Sequence, residues 1–143
     1  MSVAFKQELI EKRAHFFADK QAYVAIVFLG DDYSSATYVK HKKAYGESIG
    51  LPVIVFGQNH VADYDRNQAG KFDDVSIYIN QNYDTVGKVM ELIRYLNHDD
   101  ECVGIIIQLP LPQQFEQYKE QLLAAITPQK DLDGLGGVVL GLS

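Results

Sequence analysis

At 143 residues the chain has room for one domain with a substantial core and little room for two. Hydrophobic residues make up 47% and charged residues 22%, an ordinary globular balance, and no apolar stretch is long enough to span a bilayer. A net charge of −6 argues against a general nucleic-acid binder, because phosphate contacts need clustered Lys and Arg. The one basic cluster, Lys40, Lys42 and Lys43, falls on a single predicted helix. The N-terminus alternates charged and apolar residues from its start, so no secretory signal is expected. A lone cysteine, Cys102, forms no internal disulfide framework and fits a reducing, cytoplasmic setting.

Two kinds of segment alternate along the chain. Residues 3–20 carry apolar side chains at a near-helical period, through Val3, Phe5, Leu9, Ile10, Phe16 and Phe17. "AYVAIVFLG", residues 22–30, is short, apolar and rich in β-branched residues, and reads as a buried strand ended by Gly30-Asp31-Asp32. Residues 34–49 are predicted to be helical, opening on a serine able to cap the first turn. "LPVIVFG", residues 51–57, is a second buried strand. Residues 58–74 are polar and without period, as in a surface excursion, and "VSIYIN", residues 75–80, reads as a short strand. A helical pattern returns over residues 83–97, followed by a third buried strand, "CVGIIIQLP", and a last helix over residues 115–126. The tail, "TPQKDLDGLGGVVLGLS", is rich in turn residues.

Such alternation predicts an α/β fold, with a mostly parallel sheet sandwiched between helices in three layers of a single domain. Ligands of these sheets lie beyond the carboxyl ends of the strands. That rule gathers the segment after the first strand, the segment after the third, and the closing turn at Asp133 onto one edge.

Ser35, Tyr38 and Lys42 are spaced by three and then four residues, so they neighbour one another on a helix. A lysine beside a tyrosine ring and away from water gives up its proton more readily, which suits it to shuttle protons near neutral pH. Tyr38 can stack on a flat heterocycle, and Gln108 can orient the lysine without adding a charge. On spacing alone an exposed helix face with an incidental pair is the commoner explanation, because Lys and Tyr are frequent on helices. "QLPLP", with two prolines that cannot continue a central strand, makes a rigid loop suited to a ligand wall or to a stiff connection. "KDLDG" offers Asp131 and Asp133 either as an acceptor for ligand N–H groups or as a plain turn.

Together, "GDDYSSATYVKHKKAYGESIGL", "LNHDDECVGIIIQLPLP" and "ITPQKDLDG" resemble the three signature blocks of the methylenetetrahydrofolate dehydrogenase/methenyltetrahydrofolate cyclohydrolase family. They stand in that family's order and close to its spacing, over about residues 5–134. The resemblance implies that residues 1–143 form the folate-binding catalytic domain, with the family's C-terminal Rossmann domain expected to be absent from this chain. It implies Lys42 as the catalytic acid–base group, Tyr38 packing on the folate, Gln108 as partner of the lysine, and Asp133 holding the pterin. Ser35, Leu109 and Pro110 complete the implied substrate contacts.

NAD or NADP is the implied cofactor of the two-domain proteins. No G-x-G-x-x-G follows a strand here, so tight nucleotide binding to this chain is not expected. Hydrolysis of methenyltetrahydrofolate to formyltetrahydrofolate is the expected activity of this part. Self-association is expected, as in the dimeric family. Two other readings stay open on the residues: a folate-binding or interaction module without turnover, and the substrate domain of another two-domain dehydrogenase.

Overall fold

The computed structural model describes residues 3–15, 22–57, 70–72, 74–79 and 81–132. The order is α1 (Val3–His15), β1 (Tyr23–Phe28), α2 (Tyr33–Ser48), β2 (Val53–Gly57), α3 (Val75–Ile79), α4 (Val86–His98), β3 (Cys102–Ile107), α5 (Gln113–Glu116) and α6 (Lys119–Ala124). A 3-10 turn at Pro128–Lys130 closes it. Among the described residues the sheet is three-stranded and wholly parallel, in the order β2-β1-β3.

Every residue of the three strands is buried, which is why they read as continuous apolar runs rather than alternating ones. Tyr23, Ala25 and Val27 of β1 face a core shared with α3, α4, α5 and α6. Val24, Ile26 and Phe28 face the opposite core, with Phe5 and Leu9 of α1 and Val39 of α2. Helices therefore cover both faces, as expected from the alternation. The register between β1 and β3 slips by one residue at Tyr23 and Val24, so Val24 pairs with Gly104 instead of Val103. That bulge lets Cys102 and Ile105, three residues apart, lie in the same core.

α2 starts at Asp32, whose carboxylate accepts from the Ser35 backbone N–H at 2.9 Å. The cap is thus the aspartate ahead of the serines, not a serine as expected, because Asp32 keeps an extended backbone (ψ 129°) while Ser34 is already helical. At its far end Gly50 takes a left-handed φ of 76°. The Gly50 N–H then reaches the Glu47 carbonyl, and the Leu51 N–H the Gly46 carbonyl. α4 buries Val89, Leu92, Ile93 and Leu96, an apolar stripe at helical spacing, and is capped by the Thr85 hydroxyl.

Two further expectations need correction. The segment expected as a strand over residues 75–80 is the helix α3: Val75 and Ile79, one turn apart, are buried, while Ile77 between them is exposed. Val, Ile and Ile at every second position fit a strand on paper, yet two of them already satisfy a helical stripe. The last helix is broken into α5 and α6 around Gln117 and Tyr118. Most of the polar excursion, residues 58–69 and 73, lies outside the described residues, as do residues 16–20 of the expected first helix. Among the described residues no helix is long and apolar enough to cross a membrane.

Candidate active site

In the order β2-β1-β3 the chain leaves β1 toward one side and returns to β3 on the other. A crevice therefore opens between the carboxyl ends of β1 and β3. The segments after these strands meet there: a side chain added at Gly30 would lie 3.7 Å from the Pro110 carbonyl and 3.8 Å from the Pro112 ring.

α2 brings an unusual face to this crevice. Its buried positions are Ser35, Val39, Lys42, Lys43 and Gly46, a helical stripe in which three of five side chains are polar or charged. A helix packed only for stability would place apolar groups there, since buried charge is costly unless compensated. Lys42 is only 6% exposed, and its Nζ donates to Gln108 Oε1 at 3.3 Å. Gln108, itself 8% exposed, is fixed from two sides. Its backbone N–H donates to the Val27 carbonyl at 2.9 Å, and its Nε2 donates to the Leu109 carbonyl at 3.1 Å. A carbonyl can only accept, so the amide nitrogen is committed to Leu109 and the amide oxygen faces the lysine.

The Leu109 carbonyl also lies 3.2 Å from Ser35 Oγ, which is 3.0 Å from the Asp32 carboxylate. A hydroxyl has one proton and serves one of these acceptors at a time. Ser35 is 3% exposed, so it ties α2 to the "QLPLP" loop. Tyr38, one turn before Lys42 on α2, is 52% exposed. Leu109 is half-buried, Pro110 is exposed after a cis peptide bond, and Leu111 turns back into the core.

Among the described residues, the ring of Phe5 of α1 lies against the Lys42 amine, with Nζ 5.3 Å from its centroid. Sequence reasoning expected Tyr38 in that place and missed Phe5, which lies far upstream in an otherwise ordinary amphipathic helix.

Asp133 lies outside the described residues, but the approach to it is well held. Lys130 Nζ donates to the carbonyls of Leu96, Asn97 and Asp99 at 2.8, 2.8 and 2.9 Å, closing the end of α4. Asp131 bridges to Ile105 of β3. Leu132 is buried against Gly104, where any added side chain would come within 2.5 Å of its Cδ1.

A second cleft, of about 930 Å³, opens at the amino edge of the sheet. Its walls include Asp99, Asp100 and the stacked rings of Tyr78 and Tyr95. None of the expected site residues that are described lines it.

The sequence profile of the family "Tetrahydrofolate dehydrogenase/cyclohydrolase, catalytic domain" matches residues 1–133, a span that takes in Tyr38, Lys42, Gln108 and Asp133. The chain belongs to this family. The bifunctional protein FolD of Campylobacter jejuni strain RM1221 is 32% identical over 143 residues, covering 99% of this chain and 42% of that protein. FolD of Koribacter versatilis is 35% identical over 111 residues, 74% of this chain and 36% of that protein. Among solved structures, the bifunctional methylenetetrahydrofolate dehydrogenase/cyclohydrolase of C. jejuni superposes with a TM-score of 0.63. It is 30% identical, over 97% of this chain and 43% of that one. The Trypanosoma brucei enzyme, solved with NADP and an inhibitor, shares the fold at a TM-score of 0.61 and 22% identity, over 96% of this chain and 39% of that one. The chain thus spans about 42% of the length of the Campylobacter FolD it matches.

Proposed function

We propose that this chain is the folate-binding catalytic part of a tetrahydrofolate dehydrogenase/cyclohydrolase, and that it hydrolyses methenyltetrahydrofolate to formyltetrahydrofolate. The observation that carries the reading is the buried pair of Lys42 and Gln108, 3.3 Å apart at the carboxyl edge of the sheet. A buried amine can take up and return a proton, and Gln108 holds it without adding a charge of its own. In the reaction a water adds to the methenyl carbon and its proton passes to the Lys42 amine. The new carbon–oxygen bond then becomes a carbonyl as one carbon–nitrogen bond breaks. Lys42 returns its proton to the departing nitrogen, and the hydroxyl proton leaves to solvent. Tyr38, with its ring half open, stacks on the folate. Gln108 holds the amine, and Asp133 accepts from the pterin N–H groups. The anchored approach through Lys130, Asp131 and Leu132 supports that last role.

NADP-dependent oxidation of methylenetetrahydrofolate is proposed for the two-domain protein. The described residues at this edge do not fit the dinucleotide's pyrophosphate. The first turn of α2, where an anion would bind, already holds the Asp32 carboxylate, with Asp31 beside it. Self-association and a cytoplasmic setting belong to the same proposal.

The test is an absorbance assay of methenyltetrahydrofolate hydrolysis by this polypeptide, corrected for the spontaneous rate, beside Lys42→Met. Methionine keeps much of the stem and removes the amine. Turnover should fall by roughly 10²–10⁴-fold, as for loss of a general acid–base group, while folate still binds. Equal turnover in the two proteins would return Lys42 to a packing role.

A further inference from the structure

We infer that Phe5 is a positioning residue for the Lys42 amine, supplied to the site by α1; the inference rests on Lys42 being the acid–base group. Lys42 Nζ lies 5.3 Å from the centroid of the Phe5 ring, within the roughly 6 Å over which an aromatic face attracts an ammonium. Gln108 Oε1 holds the same nitrogen at 3.3 Å. A hydrogen bond constrains a distance more tightly than a direction, and the lysine stem is long and flexible. An aromatic face gives the ammonium a second electrostatic seat and keeps water from that side.

Phe5 is itself held. It is 8% exposed and shares a buried cluster with Leu9, one turn along α1, and with Val39 of α2. Two elements that meet only in the folded protein therefore set the amine from two directions: α1 by a ring, and the segment after β3 by an amide. α1 lies outside the three signature blocks, so its part in the chemistry is carried by geometry alone.

The experiment compares Phe5→Leu, Phe5→Met and Phe5→Tyr with the parent chain, after thermal melts have shown which variants fold. Leucine and methionine fill the space without a ring, and methionine serves where leucine does not fold. Tyrosine restores the ring. For the ringless variants kcat should fall about 2- to 30-fold, the range an aromatic–cation contact spans, with KM within about twofold. Phe5→Tyr should stay within about twofold of the parent. A ringless variant that folds and keeps the parent kcat would overturn the inference, as would a tyrosine variant that loses as much as leucine. A parent chain without turnover above the spontaneous rate would sink the proposed activity and leave Phe5 to a second readout. That readout is trace acetylation by acetic anhydride, followed at Lys42 by peptide mass spectrometry. Faster labelling in the ringless variants, with the tyrosine variant matching the parent, supports the contact. Equal rates in all four overturn it.

Discussion

The side-chain amide of Gln108 donates to the carbonyl of its neighbour Leu109 at 3.1 Å, and this bond decides which end of the amide Lys42 meets. With its nitrogen engaged, Gln108 can present only its oxygen to the lysine, 3.3 Å away. Gln108→Glu keeps the shape but turns that oxygen into part of a charged group in a buried place. A carboxylate beside Lys42 favours the ammonium and starves the reaction of free amine. The kcat at neutral pH should drop by about tenfold or more, with the loss easing as pH rises. A pH–rate profile of the variant laid over that of the parent checks this, and superimposable profiles would contradict it.

Ser35 separates two readings of one hydroxyl. The resemblance places it among substrate contacts, whereas its Oγ lies 3.0 Å from Asp32 and 3.2 Å from the Leu109 carbonyl in a buried position. Ser35→Ala keeps the helix cap, because Asp32 still receives the backbone N–H. Loss of one neutral hydrogen bond should lower kcat about 2- to 10-fold through a loosened "QLPLP" loop, with KM nearly unchanged. A rise in KM at constant kcat would instead put the hydroxyl on the substrate.

Lys130→Met removes three charge-assisted hydrogen bonds at the end of α4. Urea unfolding should show a loss of about 1–3 kcal/mol. The same change slackens the approach to Asp133, so folate affinity measured by calorimetry should weaken as well. Unaltered affinity in a clearly destabilised variant would show that the segment is held by Asp131 and Leu132 without the lysine.

Stability should fall in alkali. Burial pushes the Cys102 thiol up from 9.0 to about 12, against a smaller opposing pull from Lys130, and burial also raises the Tyr23 phenol. Both groups stay neutral in the folded chain and ionise earlier in the unfolded one. Their contribution is complete below about pH 9 and is lost as pH climbs toward 12, by up to about 1.4 kcal/mol per pH unit for each group. Urea midpoints at pH 7.5, 9 and 10.5 test the trend, and Cys102→Val should flatten part of it. A midpoint that holds steady to pH 10.5 would sink the argument.

Much of this was legible in the residues. The three strands are buried on both faces, so their apolar runs are unbroken and bounded by glycine and polar turns. The expected fold and the pairing of Lys42 with Gln108 follow from that pattern and the resemblance. What escaped was either degenerate in pattern or long in range. Val75, Ile77 and Ile79 satisfy two periods at once, and only tertiary packing chooses between them. Phe5 meets Lys42 through the packing of α1 beside α2, which no local window contains. Lys130 looked like the first residue of a turn motif, because its partners are backbone carbonyls more than 30 positions away. A signal for the site did exist in α2: once helical, its inward stripe contains a serine and two lysines, an arrangement that stability alone would not select.

The strand order also fixes when the site can exist. Lys42 and Gln108 are 66 positions apart, and they are brought together by the pairing of β1 with β3, the last strand in the described chain. Loop closure of that length must be met before the contact returns any free energy, so the pair forms late, with the sheet itself, and not in a local hairpin. During synthesis a nascent chain stopped before β3 has the lysine and lacks its partner. On refolding, the recovery of folate binding should coincide with the slowest step of sheet assembly and lag behind the formation of α2 and α4.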